Sequence, residues 1–599
     1  MNLRHRSHSR MLLALVAMLL TSVLLLSACG AGAPADTPPA DTPPADTPAV
    51  TTDTGDTNVP VDTQDFDEIR ILAMGTGSHL NDLRDTRTHQ AMIQATRVIP
   101  FFEEVDDDRF NVLLAAGDLP DLISLMRGTT GLQREGLVRG GHLTALCDYI
   151  PQEWWDNEMI ATALRISREF YSFGTGRIYF IPLGFGQNTA TPGYYFGLRW
   201  DLYRELGFPE FSNPFEFIDV MAQMVELEPY TDEGEPTFGM AMFDFWGENA
   251  MMFGVWGYYW GNWHGLFTIG EYNMVDREIR VAMEDRETSG FWNSVRVFNY
   301  AHRLGILDPD SLVHTWDTRR PANAGGQYMF SWADWARGAF HHENANANPP
   351  RGHVGVPYVG GNVFATTGEF NYLGGFMWAV GANANVEAVM RYITFLSSYD
   401  GMATMLNGVE GIDWVVGPDG RPMFTEYNMA IRTGEGGTAA LMQEGGIGYS
   451  GNYMMFSFST IHPRLNVPLQ FTLDPQIAAM AETALEADFA AHFGVYSATQ
   501  VLNQAIADGQ MRDFSELNTL AISLLPSTPP IEIQRQITNL DNLMGVWGAR
   551  LVLANSEAEF ESLKEQALAD FNRNGMAEVT AWMQGVWAEA VEATTRVFN

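Results

Sequence analysis

The sequence predicts an α/β fold that is built from more than one domain. Residues 106–127 contain a helical pattern, a tight turn and a short apolar run of strand length, which together make half of an α/β unit. Gly117 and Pro120 end the predicted helix, because glycine allows a left-handed stop and proline cannot continue the hydrogen bonding. A first strand is predicted over 68–74, and 599 residues exceed the usual length of one domain.

Loops that follow these strands are the first candidates for a ligand site, since ligands of open α/β sheets bind beyond the carboxyl ends of the strands. Residues 126–129 follow one strand and make Arg127 a candidate. Thr76 and Ser78 follow the other strand, although a polar turn without a ligand is an equal alternative. This loop lacks the third glycine of the dinucleotide fingerprint, and the sequence has no Walker motif, so we do not expect a nucleotide.

The N-terminus has the pattern of a lipoprotein signal peptide. Three arginines within the first ten residues precede an uncharged apolar core over 11–26, which is short for a membrane span. The core closes with Leu-Ser-Ala-Cys, in which small residues precede a cysteine that can accept a lipid. We therefore predict a signal peptide over 1–28 and lipidation of Cys29. The alternative is an ordinary signal peptide in which the cysteine is accidental.

Residues 29–65 are predicted to form a solvated tether between Cys29 and the globular body. This segment repeats Pro-Ala-Asp-Thr-Pro three times in tandem, and these residue types cannot build a hydrophobic core. A lipid, a spacer and a globular body are the layout of a protein that is held at a membrane and works in the aqueous phase.

Charge and motif content exclude several function classes. The net charge is −38, and lysine occurs once, which argues against nucleic acid as a partner. It also argues against anionic ligands such as acidic sugars, unless a local patch overrides it. We find no HExxH, no GxSxG and no metal-spaced Cys/His set, so we expect no catalytic residue, no metal and no cofactor. Besides Cys29 the only cysteine is Cys147, which we expect to be a small buried apolar residue.

Tryptophans next to glycine are the second group of ligand candidates. Residues 237–263 contain four tryptophans among glycines, a composition that suits rings presented on loops. Flat aromatic rings can stack on the apolar faces of sugar rings. We predict that Trp246 and one of Trp256 or Trp260 face a ligand; core packing is the alternative for each of them.

Several motifs, in this order along the chain, resemble bacterial extracellular solute-binding proteins of family 1, the maltodextrin-type and LipO-like lipoprotein receptors of ABC transporters. The motifs are RFNVLLAAGDLPDLI at 109–123, TGRIYFIP at 175–182, YYFGLRWD at 194–201, LGILDPD at 304–310 and NGVEGIDW at 407–414. The last of these is followed by a predicted hairpin turn, and we interpret its aspartates as turn residues rather than as calcium ligands.

The resemblance implies a two-lobed, periplasmic-binding-protein-like fold of type II, with discontinuous lobes, a hinge and a cleft between the lobes. Lobe 1 is expected to comprise 66–180 and about 373–455. Lobe 2 is expected to comprise about 181–372 and about 456–599, including the C-terminal helices. Tyr194 and Trp378 lie on the two expected crossings between the lobes, and we count both as ligand candidates.

The resemblance also implies a stacking site after an apolar strand near residue 330. Ser-Trp-Ala-Asp-Trp follows this strand and matches the position of a stacking tryptophan in maltodextrin-type receptors. Trp332 is our main stacking candidate, Trp335 is a further one, and Asp334 is a candidate acceptor for sugar hydroxyls. Core packing remains the alternative for each tryptophan.

The function implied by the resemblance is that of an extracytoplasmic, lipid-anchored receptor that delivers a carbohydrate, expected to be an oligosaccharide, to the permease subunits of an ABC importer. Such a receptor is not an enzyme. Two alternatives stay open. One is a receptor for peptides or other polar solutes, and the other is a surface-anchored enzyme that acts on glycans, which would require a pair of carboxylates.

Overall fold

The computed structural model describes residues 65–74, 81–105, 107–125, 131–184, 192–194, 197–243, 249–331, 337–357, 364–365, 377–433, 440–448, 455–511, 521–522, 524–526 and 529–598. The predicted signal peptide, Cys29 and the tether as far as residue 64 lie outside the described residues. Within these ranges, no helix combines the length and the apolar character that crossing a membrane requires.

The strands are short and are spread along the chain. They are β1 Asp67–Met74, β2 Val98–Val105, β3 Leu122–Leu125, β4 Phe180–Pro182, β5 Pro192–Tyr194, β6 Gly197–Arg199, β7 Asn262–Leu266, β8 Gly270–Asn273, β9 Glu278–Val281, β10 Phe330–Ser331, β11 His353–Gly355, β12 Phe364–Ala365, β13 Met377–Val380, β14 Trp414–Val416 and β15 Pro422–Phe424.

Helices make up most of the remaining described structure. The α-helices are Arg87–Thr96, Asp107–Ala116, Gly131–Arg139, Gln152–Asp156, Glu158–Phe170, Trp200–Glu205, Pro214–Leu227, Asn249–Gly254, Gly290–Arg303, Trp316–Ala324, Gly338–Asn344, Val386–Leu396, Tyr399–Asn407, Glu426–Thr433, Pro475–Ala481, Ala484–Phe493, Ala498–Ala507, Ile531–Val552, Glu557–Arg573 and Met576–Phe598; Val255–Trp260 and Phe471–Leu473 are 3₁₀-helical and Leu441–Gly445 is π-helical.

The first lobe is organised around a five-stranded mixed sheet in the order β2–β1–β3–β13–β4. β1 lies between β2 and β3 and is parallel to both, whereas β13 is antiparallel to β3 and β4. Parallel neighbours need a crossover connection, and the helices Arg87–Thr96 and Asp107–Ala116 lie in the two connections between β1, β2 and β3. β13 comes from much later in the chain, so the sheet is complete only after the chain has returned to this lobe.

Two separate hydrophobic cores define the lobes. The first core draws its residues from 69–183 and from 377–469. The second draws its residues from 198–356 and from 485–583, and includes the three C-terminal helices. It also covers the small sheet β10–β6–β11 and the antiparallel meander β7–β8–β9. A small third cluster over 403–477 packs the β14–β15 hairpin.

The chain changes cores for the last time later than the expected boundary at about 455/456. Phe456 and Leu469 belong to the first core, and Leu485 is the first residue after them in the second core. The N–H of Leu485 donates a hydrogen bond to the carbonyl oxygen of Ala345, a residue of the second lobe, at 2.9 Å. The motifs that we used give no signal in this region, so only the packing locates the change.

Local signals in the sequence predicted helices and strands of the first lobe, with one error in the bounds of a helix. The helix, turn and strand expected over 106–127 are present, and Gly117 has the left-handed φ of +67° that ends the helix. Apolar spacing over 83–99 also predicts a helix, but the observed helix is Arg87–Thr96. Arg97 is left-handed at φ +57°, and Val98 begins β2, where it pairs with Asp67 of β1. Pairing in the sheet therefore overrides the helical spacing at these β-branched residues.

Cys147 is exposed, which corrects the expectation of a buried cysteine. It lies in an irregular segment, where Leu146 takes the fully buried position next to it. The Cys147 sulfur accepts a hydrogen bond from the backbone N–H of Ile178 at 3.4 Å. Because irregular backbone has no fixed side-chain period, residue type alone could not decide which of the two neighbours is buried.

Asp121, in the Gly-Asp-Leu-Pro-Asp turn, connects three elements, and its loss is expected to destabilise the first lobe. Its carboxylate accepts hydrogen bonds from the backbone N–H of Arg70 in β1 at 2.9 Å and from that of Asn385, the N-cap of helix Val386–Leu396, at 3.3 Å. We expect Asp121→Ala to lower the free energy of unfolding by about 1–3 kcal/mol, because both N–H groups lose their acceptor.

Denaturant unfolding of residues 66–599 measures this effect. Asp118→Ala is the control from the same turn: its exposed carboxylate pairs with the Arg70 guanidinium at 3.1 Å, and its removal should cost at most about 1 kcal/mol. Equal effects of the two substitutions would contradict the role assigned to Asp121.

Candidate ligand-binding cleft

The carboxyl ends of four strands lie on one edge of the first sheet. β1, β2, β3 and β4 all point the same way, and the last residue of β3, Leu125, pairs with Met377, the first residue of β13. Met377 also pairs with Pro182, the last residue of β4. This carboxyl edge is where an open α/β sheet places its ligand.

Three of the sequence candidates belong to segments that leave this carboxyl edge. Thr76 and Ser78 follow Met74, the last residue of β1, and Arg127 follows Leu125, the last residue of β3. The three candidates themselves lie outside the described residues. Thr76, Ser78 and Arg127 therefore stay predictions.

A second edge lies on the β10–β6–β11 sheet of the other lobe. Gly197, the first residue of β6, pairs with Ser331, the last residue of β10, and with Gly355, the last residue of β11. A Cβ on Gly197 would lie 2.5 Å from the carbonyl oxygen of Ser331, which explains why glycine is required here. The candidates Trp332, Asp334 and Trp335, which lie outside the described residues, follow Ser331 directly.

A two-stranded ribbon connects these two edges. β5 lies between the end of β4 at the first edge and the start of β6 at the second, and β12 lies between the end of β11 and the start of β13. β5 and β12 pair with each other, Phe364 with Tyr194 and Ala365 with Pro192. Tyr194 is therefore a residue of the connecting ribbon, although its side chain lies outside what the structure describes. A ribbon that joins two lobes at their ligand edges has the position of a hinge.

The structure separates the two tryptophans between which the sequence could not choose. Trp256 is 1% exposed and stacks on Phe330 of β10, with ring centres 5.1 Å apart and an angle of 17° between the planes. Trp260 is only partly buried, and its ring makes an edge-on contact with Tyr259 at 5.0 Å. Trp256 is therefore a core residue, and Trp260 remains the candidate. The other candidate of this stretch, Trp246, lies outside the described residues.

Trp378 does not have the exposure that a ligand contact requires, which corrects its prediction as a site residue. It is 0% exposed and lies inside the first sheet, where it pairs with Ser124 of β3 and Ile181 of β4. All four residues of β13 are buried, because the strand has a neighbour on each side and both faces of the sheet are covered. The resemblance correctly predicted the return of the chain here, but it did not indicate which way the side chains point.

Two of the motifs behind the resemblance contain buried charged residues that stabilise the fold and do not lie at the two ligand edges. Arg199, the last residue of β6, is fully buried and donates to Asp201 at 3.0 and 2.7 Å and to Glu228 at 3.0 Å. Burial acts to lower the pKa of Arg199, but the hydrogen bonds and charges of Asp201 and Glu228 outweigh it, so the pKa is raised. This ion cluster fixes the second sheet behind its edge.

The motif at 407–414 has the same kind of role. Asp413 is fully buried and receives three hydrogen bonds from the Arg87 guanidinium at 2.6–3.0 Å, one from the N–H of Val409 and one from Asn428. Its oxygens are thus occupied by protein donors, which agrees with a turn rather than a calcium site. Among the described residues, no group of His, Cys, Asp or Glu is arranged to hold a metal ion.

Arg134 is a residue at the first edge that the sequence analysis missed. Its Nη1 lies 3.8 Å from the sulfur of Met377, the residue that pairs with the last residues of β3 and β4. Arg134 belongs to no motif, and the sequence contains no signal that would distinguish it from the arginines of solvent-exposed helix faces. The distinction comes only from its surroundings in the fold.

Solved structures share this architecture. The chain is similar to the S. pneumoniae ABC-transporter substrate binding protein FusA, an EF-hand mutant in complex with fructo-nystose, with a TM-score of 0.56 and 13% identity over 88% of this chain and 100% of that chain. It is also similar to an extracellular solute-binding protein from Bifidobacterium longum subsp. infantis, with a TM-score of 0.53 and 11% identity over 88% of this chain and 98% of that chain.

A third similar structure is an HMO-binding, ABC-transporter-associated solute-binding protein from Bifidobacterium longum infantis, with a TM-score of 0.50 and 12% identity over 87% of this chain and 99% of that chain. No protein-family model matches the chain, and no curated protein matches it. The structural similarities show that the chain has the two-lobed fold of extracellular solute-binding proteins.

Proposed function

We propose that this chain is the extracytoplasmic substrate-binding lipoprotein of an ABC importer, and that it captures an oligosaccharide in the cleft between its lobes. The observation that carries the proposal is the ribbon β5–β12, which joins the carboxyl edge of the first sheet to the edge of the second at Ser331. The predicted stacking residue Trp332 is the next residue after Ser331. A site divided between two hinged lobes suits a receptor that closes around its ligand.

The structural neighbours support a carbohydrate as the ligand. FusA is in complex with fructo-nystose, and the Bifidobacterium protein is described as HMO-binding. Both are named as components of ABC transporters, which supports permease subunits as the partners of this chain. The identities are 13% and 12%, so the particular sugar does not transfer from them.

The proposed mechanism needs no covalent chemistry. Sugar rings bury their apolar faces against tryptophan, and polar side chains at the two edges form hydrogen bonds to the hydroxyls. A ligand that contacts both lobes binds the closed state more tightly than the open state. The difference between these binding free energies, minus the free energy that closure costs, favours the closed state. The closed, loaded form is then the one that the permease accepts. We assign no catalytic residue, metal or cofactor to this site.

The N-terminal segment completes the proposal with a membrane anchor. Lipidation of Cys29 would hold the protein at the outer face of the membrane, and the tether over 29–65 would let the lobes work in the aqueous phase. A single acyl chain binds a membrane only marginally, so we expect more than one acyl chain on the mature cysteine. We do not propose nucleic acid as a partner, because a net charge of −38 disfavours its binding.

A thermal-shift screen of residues 66–599 tests the ligand class. The panel contains oligosaccharides, peptides and small polar solutes, and a ligand at 100 times its Kd stabilises the folded state by about 2.7 kcal/mol. We expect oligosaccharides to raise the Tm, and Trp332→Ala to remove this shift while the unliganded protein stays folded. Trp155→Ala is the control, because Trp155 is a partly buried tryptophan of helix Gln152–Asp156 that packs against the first core.

Other outcomes of the same screen favour the alternatives. A shift with peptides alone would replace the carbohydrate with a peptide ligand and leave the fold unaffected. Cleavage of a bound glycan during incubation, detected by chromatography of the recovered ligand, would contradict the receptor and favour a glycan-active enzyme.

A further inference from the structure

The guanidinium of Arg134 lies at the carboxyl edge of the first sheet. Arg134 is in the first turn of helix Gly131–Arg139, which follows β3 along the chain. Its Nη1 is 3.8 Å from the sulfur of Met377, and Met377 pairs with the last residues of β3 and β4. The side chain thus reaches the place where the strand ends of this lobe meet.

Arg134 is partly buried, and the part of the chain that the structure describes offers it no acidic partner. Its Nε has no hydrogen-bond partner within the described ranges, and its Cζ lies 5.2 Å from the centre of the Tyr171 ring. Among the described residues, no Asp or Glu contributes to the electrostatics of Arg134, and burial lowers its pKa. A thioether and a phenol ring leave most of the five N–H donors of a guanidinium unused.

Three other arginines that are buried or partly buried are paired with acids, whereas Arg432 donates to the amide oxygen of Asn428 at 2.6 Å instead. Arg199 pairs with Asp201 at 2.7 Å, Arg280 with Glu271 at 2.9 Å, and the Arg87 guanidinium with Asp413 at 2.6 Å. The chain contains 73 acidic residues and 35 basic ones, so it is not for a shortage of acids that no described acid lies beside Arg134. Burying a cation without a counter-charge is costly. A ligand that brings the counter-charge would account for this cost.

We propose that Arg134 is a ligand-binding residue, and that the oligosaccharide bound at this edge carries a carboxylate, as in oligomers of uronic acids. The inference rests on the proposed carbohydrate-binding function. A carboxylate can accept two parallel hydrogen bonds from a guanidinium and also neutralises its charge. The hydroxyls of a neutral sugar could accept the hydrogen bonds but would leave the charge unbalanced.

This inference reverses an expectation from composition. The net charge of −38 disfavours acidic ligands on average over the protein surface. At distances of a few ångströms, however, one cation at the site outweighs distant charges, which salt screens. The charge at the edge, rather than the net charge, then selects the ligand.

Matched ligands and variants test the proposal. Calorimetry or thermal shift compares uronic-acid oligomers of several linkages with their methyl esters, which keep the rings and remove the charge. We expect the acid to bind at least about tenfold more tightly than its ester. Arg134→Gln should abolish this preference. Arg139→Gln is the control on the same helix: Arg139 is exposed and pairs with Glu135 at 2.6 Å, so the variant should bind like the parent protein.

The stability of the unliganded protein gives a second measurement that needs no ligand. Arg134→Met keeps the apolar stem and removes the unpaired charge, so we expect the Tm to rise by about 1–3 °C. Arg139→Met should leave the Tm unchanged within error. A fall in Tm for Arg134→Met would mean that Arg134 is a structural residue, and would overturn the proposal.

The outcomes separate this inference from the proposed function. If neutral oligosaccharides or methyl esters bind as tightly as the acids, and Arg134→Gln changes neither, the inference fails and the carbohydrate receptor stands. If no saccharide of either kind binds, the proposed function and the inference fail together.

Discussion

Replacement of Arg199 by methionine is expected to destabilise the protein by about 3 kcal/mol, because it leaves the carboxylates of Asp201 and Glu228 without their main cation. Arg199 is fully buried, and its guanidinium contacts both acids at 2.7–3.0 Å. Removal of one partner from a buried ion cluster typically costs about 3–5 kcal/mol. We expect the lower end, because Arg351 also contacts Glu228, at 3.2 Å, and can take over part of the pairing.

The pH dependence of the Arg199→Met defect provides a specific check. Burial acts to raise the pKa of Asp201, but the hydrogen bonds and charge of Arg199 outweigh it, so the pKa is lowered overall. In the parent protein this interaction therefore stabilises the fold at pH values above 3.8, the ordinary pKa of an aspartate. That contribution is lost as the pH falls through the lowered pKa of the folded state. In the variant the carboxylate is unpaired, and protonation relieves it. The difference in stability between the two proteins should therefore shrink from pH 7 to below pH ~4.

Urea unfolding followed by circular dichroism at several pH values measures both effects. Arg139→Met is the control, because an exposed pair between residues four apart on a helix contributes only about 0.3–0.5 kcal/mol. A defect of that small size for Arg199→Met, or one that does not depend on pH, would contradict a structural role for the buried cluster.

Trp256→Ala is expected to cost about 3–5 kcal/mol of stability, whereas Trp260→Ala should cost less than about 2 kcal/mol. Trp256 fills a closed position between Phe330 and Phe217, with ring centres at 5.1 and 5.9 Å, so its truncation leaves a cavity. Trp260 is partly exposed at the end of the 3₁₀ segment Val255–Trp260, so its removal takes away less buried area.

Ligand binding should respond to these tryptophans in the opposite order. If Trp260 stacks on the saccharide, its truncation weakens binding by about tenfold, or about 1.4 kcal/mol. Trp256→Ala should retain the affinity of the parent protein under conditions in which the variant is folded. Calorimetric titration at low temperature compares the two. Equal losses of affinity would contradict the assignment of one ring to the core and the other to the site.

The motifs that carry the family resemblance are mainly supports of the fold. Asp121 accepts hydrogen bonds from β1 and from the start of a later helix. Arg199 forms a buried ion pair behind the second sheet, and Asp413 forms one with Arg87. None of these three residues lies at a strand edge where a ligand is expected. Such motifs can therefore identify the architecture of a receptor without indicating its ligand, and the ligand depends on residues such as Arg134 that no motif contains.

The fold was predictable because its main elements carry strong local signals. Helix Pro214–Leu227 and helix Val386–Leu396 show the spacing of apolar residues and the asparagine N-caps that the sequence indicates. Local signals did not determine the exact ends of the helices, because neighbouring strands compete for the same residues, as Val98 shows. The site could be predicted only as a set of loops. The sequence indicated where individual strands end, but not which strands are neighbours in the sheet.

The sequence alone determined the α/β character, the helix and the strand on either side of Gly117, and the loops that are candidates for ligand binding. The order of its motifs also indicated a two-lobed fold. These features depend on residues close together in the chain, where spacing and turn chemistry act directly. Only the tertiary structure decided that Trp256 and Trp378 are buried, that Cys147 is exposed, and that Arg134 reaches the strand edge. Burial and charge pairing depend on residues that are hundreds of positions apart, and the folded chain alone brings them together.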